Sequence, residues 1–244
     1  MLTGKRILVT SGGTQEYIDD VRVLTNISSG KLGADIACTL IKADATVLYL
    51  RGVNACYPDP MRNGYYSEMI VKSAQDAYNE MEKIVPSMDA VIHCMAVSDF
   101  TFKRDVALKC KSNDPQAFID FMARTITKNP KIISKIKEWN PKTILVGFKF
   151  EVGVSNVELI ELAMNSIRNN KCDLIVANDK EEMIRDKTHT AYFVFPDNSN
   201  RALKYSYEGT NAVLKVSGKK EIAEQMATFL DEVLNEKILG LDEI

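Results

Sequence analysis

Apolar runs of strand length alternate with helix-periodic runs along most of this chain, and that alternation confines it to a narrow set of folds. Arg6–Thr10, Ala45–Arg51, Ala90–Cys94, Thr143–Phe148 and Asp173–Ala177 read as strands. Between them apolar residues recur at helical spacing over Lys31–Ala43, Ser73–Val85, Pro130–Lys137 and Asn156–Asn169. Strands separated by helices pair in parallel through right-handed crossovers, which predicts an α/β, Rossmann-like, doubly wound and mostly parallel sheet. After Asn178-Asp179 the pattern changes. Thr190–Phe195, a polar turn at Asp197-Asn198-Ser199-Asn200, Arg201–Tyr207 and Ala212–Val216 read as an antiparallel C-terminal edge, capped by an amphipathic helix over Lys220–Leu234. Residues 100–127 have the least regular periodicity and read as an irregular active-site flap. With 244 residues and 45% hydrophobic content, the chain can bury a full core as one domain over residues 1–244.

The first predicted strand runs into Ser11-Gly12-Gly13-Thr14, and a second glycine-rich turn, Asn26-Ile27-Ser28-Ser29-Gly30-Lys31-Leu32-Gly33, opens the helix that follows. Unpaired N–H groups at a helix start suit an anionic ligand, with Ser28 or Ser29 as the expected N-cap and Gly30 and Gly33 allowing close approach. The spacing fits neither familiar glycine motif. Gly12 and Gly13 are adjacent, which breaks the dinucleotide fingerprint. Thr25 stands where the triphosphatase phosphate loop needs its first glycine, and Leu32 follows Gly30-Lys31. What is left is a split glycine site with Arg22 and Asn26 between its halves, at the carboxyl edge where open α/β sheets place ligands.

Composition narrows the function further. The formal charge of −2 with no long basic run lacks the electrostatic footprint of a nucleic-acid binder. No apolar run is long enough to span a bilayer, and Met1–Lys5 leads into a strand without a signal-peptide pattern, so no membrane partner is expected and a cytoplasmic setting is. Cys38, Cys56, Cys94, Cys110 and Cys172 are odd in number and scattered, which argues against a disulfide framework or a zinc site. His93 and His189 are too few for a histidine metal cage.

Polar groups recur just after predicted strand ends: Arg22 and Asn26, Ser98-Asp99, Glu151, and Asn178-Asp179. Taken singly such residues serve as turn formers. Converging on one rim, they outline one pocket. His93 beside Cys94 invites a catalytic dyad, but strand alternation puts neighbours on opposite faces, which favours packing and backbone contacts there. Lys109 and Lys111 fall in the flap, where a lysine pair is ordinarily a solvated surface.

Assembled in order, Val9-Thr10-Ser11-Gly12-Gly13-Thr14, Ile18-Asp19-Asp20-Val21-Arg22, Thr25–Gly33, Ala96-Val97-Ser98-Asp99-Phe100, Lys128-Asn129-Pro130, Gly147-Phe148 and Asp173–Asp179 resemble the phosphopantothenate–cysteine ligase family. The resemblance runs from about Lys5 to Asp179 and is to the stand-alone bacterial form. It implies a reaction in which 4′-phosphopantothenate attacks the α-phosphate of CTP with Mg²⁺, and L-cysteine then displaces CMP from the acyl-nucleotide. CTP rather than ATP follows from family type alone. The resemblance also implies a homodimer. Residue by residue, it implies Asn26 at the acyl-nucleotide and Arg22 as a carboxylate or phosphate partner. Lys109 matches the first lysine of a flap motif covering the triphosphate. Asp99 and the backbone of His93-Cys94-Met95 match cytosine and ribose contacts, and Pro130, Lys131, Ile132, Ile133 and Phe148 match other nucleotide contacts. Gly12, Gly13, Ser29 and Gly30 belong to the nucleotide site and Asn178 to the substrate site. Family lysines are replaced by Ser112, Ser166 and Asn170, with Arg168 and Lys171 as neighbouring substitutes. Two rival readings are a short-chain nicotinamide oxidoreductase, whose Tyr-x-x-x-Lys pair is missing from the right region, and a non-catalytic nucleotide sensor.

Overall fold

The computed structural model describes residues 1–59, 65–103, 114–197, 199 and 204–236. The first half contains β1 (Arg6–Ser11), β2 (Gln15–Tyr17), β3 (Val23–Thr25), α1 (Lys31–Lys42), β4 (Thr46–Gly52), β5 (Tyr66–Val71), α2 (Ala74–Ile84), β6 (Ala90–His93) and β7 (Phe100–Phe102). There follow α3 (Pro115–Thr125), β8 (Ile126–Lys128), α4 (Ile133–Trp139), β9 (Ile144–Glu151), α5 (Asn156–Asn170) and β10 (Leu174–Asp179). The C-terminal part contains α6 (Lys180–Asp186), β11 (Thr190–Val194), β12 (Ser206–Tyr207), β13 (Thr210–Asn211), β14 (Val213–Ser217) and α7 (Lys219–Glu236).

Eight strands form one sheet in the order β14-β11-β10-β9-β6-β1-β4-β5. The strands from β5 across to β10 are parallel, and β11 and β14 add an antiparallel edge. This is the expected doubly wound, Rossmann-like sheet. Chain order reverses between β1 and β6, so the crevice beyond their carboxyl ends is the topological switch point where such sheets bind ligands.

Alternation along β1 divides the core. Ile7 and Val9 pack with Ala37 and Leu40 of α1 and Met226 and Leu230 of α7. Leu8 faces the other layer, with Met81 of α2, Ile136 of α4 and Leu159 of α5. Side chains cap several helices: Ser73 and Asp76 form a capping box on α2, and Ser155 and Asp179 cap α5 and α6. The start of α1 departs from expectation. Its N-cap position is held by Gly30, at φ 70°, and not by Ser28 or Ser29, although Ser29 Oγ accepts the Lys31 N–H at 3.4 Å. The left-handed φ is cheap for glycine and costly for serine.

The flap is more regular than its sequence suggests at both ends. β7 pairs antiparallel with β8, and α3, capped by Asp114, lies between them. Only Thr125 of α3 is buried, so its apolar residues leave no clear stripe to read. The hairpin β2/β3 packs beside β7. Lys109, Cys110, Lys111 and Ser112 lie outside the described residues. At the opposite edge, buried Glu182 of α6 accepts hydrogen bonds from Tyr192 Oη at 2.8 Å and Lys215 Nζ at 3.0 Å, which ties α6 to β11 and β14.

Close approach near the switch point depends on backbone without side chains. A Cβ at Gly52 would overlap the Gly13 carbonyl. Gly52→Ala is therefore expected to cost about 2 kcal/mol or more, read as a lowered urea midpoint; an unchanged midpoint would show that the loops can separate freely.

Both histidines are held neutral. His93 is buried, with Nδ1 2.9 Å from Thr10 Oγ1, and burial pushes its pKa down to about 4. Burial, then the charge of Lys219, does the same to His189. In the unfolded chain both protonate near the ordinary value of 6.5, so the unfolded state binds more protons between these limits. Stability is then complete above about pH 6.5 and falls toward about pH 4, by at most about 1.4 kcal/mol per pH unit per histidine and less for the partly exposed His189. Denaturant titrations at several pH values should show a shallower acid slope in His93→Gln than in the parent chain; identical slopes would contradict a neutral buried His93.

Candidate functional site at the sheet switch point

Ser11 ends β1, and Gly12 turns the chain at φ 78°. A Cβ on Gly12 would overlap that of Ala55, and one on Gly30 would lie 2.9 Å from Ser11 Oγ and 3.2 Å from the Gly12 nitrogen. The two glycine bends therefore touch. Ser11 Oγ donates to the Gly30 carbonyl at 3.0 Å, and a side chain on Gly33 would overlap Ser11. Cys56 N–H donates to the Ser29 carbonyl at 2.8 Å, so the loop after β4 closes the same corner.

The loop after β6 is sewn to the first bend. Ala96 N–H donates to the Gly12 carbonyl at 2.8 Å, Thr14 N–H to the Ala96 carbonyl at 3.3 Å, and Ser98 N–H to Thr14 Oγ1 at 3.0 Å. Asn26 lies across this seam. Its Nδ2 donates to the carbonyls of Ala96 at 3.3 Å and Val97 at 3.2 Å, while its own carbonyl presses on Gly13. Asn129 Nδ2 donates to the Ser98 carbonyl at 2.9 Å, which fixes the segment leading into α4.

Two adjoining cavities open here, sharing Met95, Ala96, Phe148 and Phe150 as a common wall. The smaller, about 300 Å³, is bounded by Ile27–Gly33 at the start of α1, with Cys94, Asn178, His189 and Lys219. The larger, about 680 Å³, is bounded by His93, Val97–Phe100, Lys128–Ile133 and Lys149. Both fall in the size range of small-molecule sites. Lys31 and Lys219 stand in the first, and Lys128, Lys131 and Lys149 in the second; among the described residues Asp99 is the sole carboxylate on either wall. Lys149 pairs with Glu151 at 2.7 Å. With a helix start that has glycine at its N-cap and a cationic lining, the pair of cavities suits an elongated anion.

Most of the expected site residues meet on these walls. Ser29, Gly30, Cys94 and Asn178 line the smaller cavity, His93, Asp99, Pro130, Lys131, Ile132 and Ile133 the larger, and Met95 and Phe148 both. Gly12 and Gly13 form the bend beneath. Asn26 sits at the seam and lines neither cavity. Arg22 lies away from both, at the β2/β3 hairpin, paired with Asp19 at 3.0 Å and 4.8 Å from the Phe118 ring centroid. His93 and Cys94 form no nucleophilic pair: burial pushes the Cys94 thiol up to about 12, and the His93 ring turns to Thr10 instead.

The proposed lysine substitutes are placed elsewhere. Asn170 is buried, with Nδ2 donating to the Ser166 carbonyl at 2.9 Å. Arg168 and Lys171 border a separate hollow with Cys172 and Asp197, at the amino end of β10, the edge of the sheet away from the switch point. They do not join these cavities. Lys31, Lys128, Lys149, Phe150, His189 and Lys219 do, and sequence reasoning did not select them. Lys128 stood inside a recognised motif, whereas His189 and Lys219 carried no local signal.

No helix among the described residues is long and apolar enough to cross a membrane. Comparison with known proteins agrees with this geometry. The coenzyme A biosynthesis bifunctional protein CoaBC of Thermococcus kodakarensis is 38% identical over 177 residues, covering 72% of this chain and 42% of that protein. The chain spans about half the length of the curated relatives it matches. The crystal structure of the DNA/pantothenate metabolism flavoprotein from Streptococcus pneumoniae superposes with a TM-score of 0.77 at 32% identity, covering 94% of this chain and 100% of that one. The C-terminal domain of a CoaBC protein superposes with a TM-score of 0.71 at 26% identity, covering 96% and 98%. The family model of the DNA/pantothenate metabolism flavoprotein C-terminal domain matches residues 2–234, and the chain belongs to that family.

Proposed function

We propose that this chain is a ligase of coenzyme A assembly that joins 4′-phosphopantothenate to L-cysteine, with CTP as the activating co-substrate. One observation carries the reading: two touching glycine bends at the switch point lie beside twin cavities that share a wall and are lined by lysines. The coenzyme A biosynthesis proteins among its relatives support the same pathway.

A carboxylate is a poor acylating agent because oxide cannot leave. In the proposed reaction the phosphopantothenate carboxylate oxygen bonds to the α-phosphorus, and the bond from that phosphorus to the pyrophosphate oxygen breaks. The cysteine nitrogen then bonds to the acyl carbon, CMP departs with its phosphate oxygen, and the amine proton passes to solvent. The larger cavity takes the nucleoside, with Asp99, Pro130–Ile133 and Phe148 about it, and the smaller takes the phosphates at the start of α1. The shared wall at Met95-Ala96 then faces the α-phosphate. Asn26, at the edge of that wall, serves the acyl carbonyl once its amide swings from Ala96 and Val97 to the acyl oxygen. Arg22, Asn178 and Lys109 serve the substrate anions in this reading.

Among the described residues no group of three His, Cys, Asp or Glu side chains could hold a metal ion. A protein-built magnesium cage therefore does not fit those residues, and Mg²⁺ enters this reading on the triphosphate itself, as that ion commonly does. Cytoplasmic location follows as part of the proposal.

A second copy of the chain is proposed to cover the adjoining hairpins and α3, where Val21, Leu24, Ile119 and Ile126 expose apolar side chains. Isologous pairing is the commonest way to cover such a patch. Sedimentation equilibrium should return a dimer of the 27.3 kDa chain; a monomer at micromolar concentration would count against it.

Incubation with phosphopantothenate, cysteine, Mg²⁺ and CTP should release pyrophosphate and CMP, with ATP run in parallel to test nucleotide choice. Asn26→Asp should slow amide formation about a hundredfold and let an acyl-nucleotide accumulate that hydroxylamine traps. Absence of product with either nucleotide at millimolar substrate would overturn the reading.

A further inference from the structure

The smaller cavity has a wall contributed by the far C-terminal part of the chain. His189, just before β11, and Lys219, the first residue of α7, both line it with the start of α1. The backbone fastens the two together, since Gly218 N–H donates to the His189 carbonyl at 2.9 Å. Neither side chain has a structural duty that explains it. Lys219 makes no hydrogen bond or ion pair among the described residues, and it stands at the positive end of a helix, where a cation is unfavourable until an anion answers it. The His189 Nε2 atom is buried with no hydrogen-bond partner. An orphaned buried polar atom of this kind costs about 1–3 kcal/mol, a cost that a bound acceptor or donor removes. Among the described residues no carboxylate lines this cavity.

We propose that Lys219 and His189 form a clamp on the terminal phosphates of the nucleotide, the part that departs as pyrophosphate. This rests on the ligase reading given above. As the bond between the α-phosphorus and the bridging oxygen breaks, its electron pair goes to the pyrophosphate, and Lys219 meets the charge that develops there. His189 stays neutral, and its ring, whose Nε2 is closed off as it stands, turns to give an N–H to a phosphate oxygen. The pair supplies the cationic contact that Arg168 and Lys171, at the other edge of the sheet, do not.

Calorimetric binding of CTP, CMP and inorganic tripolyphosphate to the full chain tests the clamp. Lys219→Gln should weaken CTP and tripolyphosphate about tenfold or more and leave CMP within about twofold, with Lys219→Arg recovering much of the loss. His189→Leu should weaken the same two ligands without lowering the melting temperature, which loss of the orphaned nitrogen is expected to raise. Because the chain holds just two histidines, tripolyphosphate should also shift the His189 ring resonances in NMR and spare those of His93. Equal weakening of CTP and CMP, or no weakening of either, would overturn the clamp while ligation by the parent chain stood. Loss of tripolyphosphate binding in Lys219→Gln, together with no ligation by the parent chain, would uphold the clamp and defeat the ligase reading.

Discussion

The site depends on backbone packed against backbone where a side chain would not fit. Gly12, Gly13, Gly30, Gly33 and Gly52 each approach a neighbouring segment so closely that an added Cβ would strike it. Their contact brings the end of β1, the start of α1 and the loop after β4 into one corner. Two of them, Gly12 and Gly30, also need a left-handed φ, so geometry and space both select glycine. That corner lies where chain order reverses across the sheet, a place the doubly wound topology leaves open. The cavities follow from these two facts.

What the corner binds is set by charge rather than by shape alone. The two cavities adjoin along a shared wall that includes the apolar side chains of Met95, Phe148 and Phe150, and lysines line each of them. Apolar and cationic linings together fit a molecule with a flat ring at one end and phosphates at the other. His93 and Cys94, the most chemically suggestive pair in the sequence, are held neutral by desolvation, His93 buried and Cys94 half-buried on the walls of this paired cavity. They shape its floor through Thr10, whose Oγ1 meets the His93 ring and accepts the Met95 N–H at 3.3 Å.

Much of the fold was legible because each central strand is apolar on both faces and each crossover helix keeps its period. β5 was not, because it is an edge strand: Ser67 and Glu68 are exposed and interrupt the apolar run. α3 escaped notice for a related reason, since a helix that buries almost nothing leaves no stripe in its sequence. The expected serine cap on α1 failed because cap propensity assumes an ordinary turn, whereas here the chain enters the helix through a left-handed glycine. The site was legible where it is built from loops directly after parallel strands. Gly30, Asp99, Phe148 and Asn178 all belong to that class.

Residues brought in by long-range topology were beyond a local reading. β11 runs antiparallel to β10 and β14 antiparallel to β11, so the start of β11 and the end of β14 carry His189 and Lys219 to the same rim as Asn178. Arg168 and Lys171, the cations nearest the missing lysines in the sequence, stand in the last turn of α5 and just after it. A helix that precedes a parallel strand ends at the amino edge of the sheet, on the wrong side for a switch-point ligand. The same topological rule disqualifies α5 as a source of phosphate contacts and qualifies the segments after β10. A cation lost from one loop is thus replaced only by a residue that the chain delivers to the carboxyl side, and Lys219, which follows the end of β14 on that side, meets that condition.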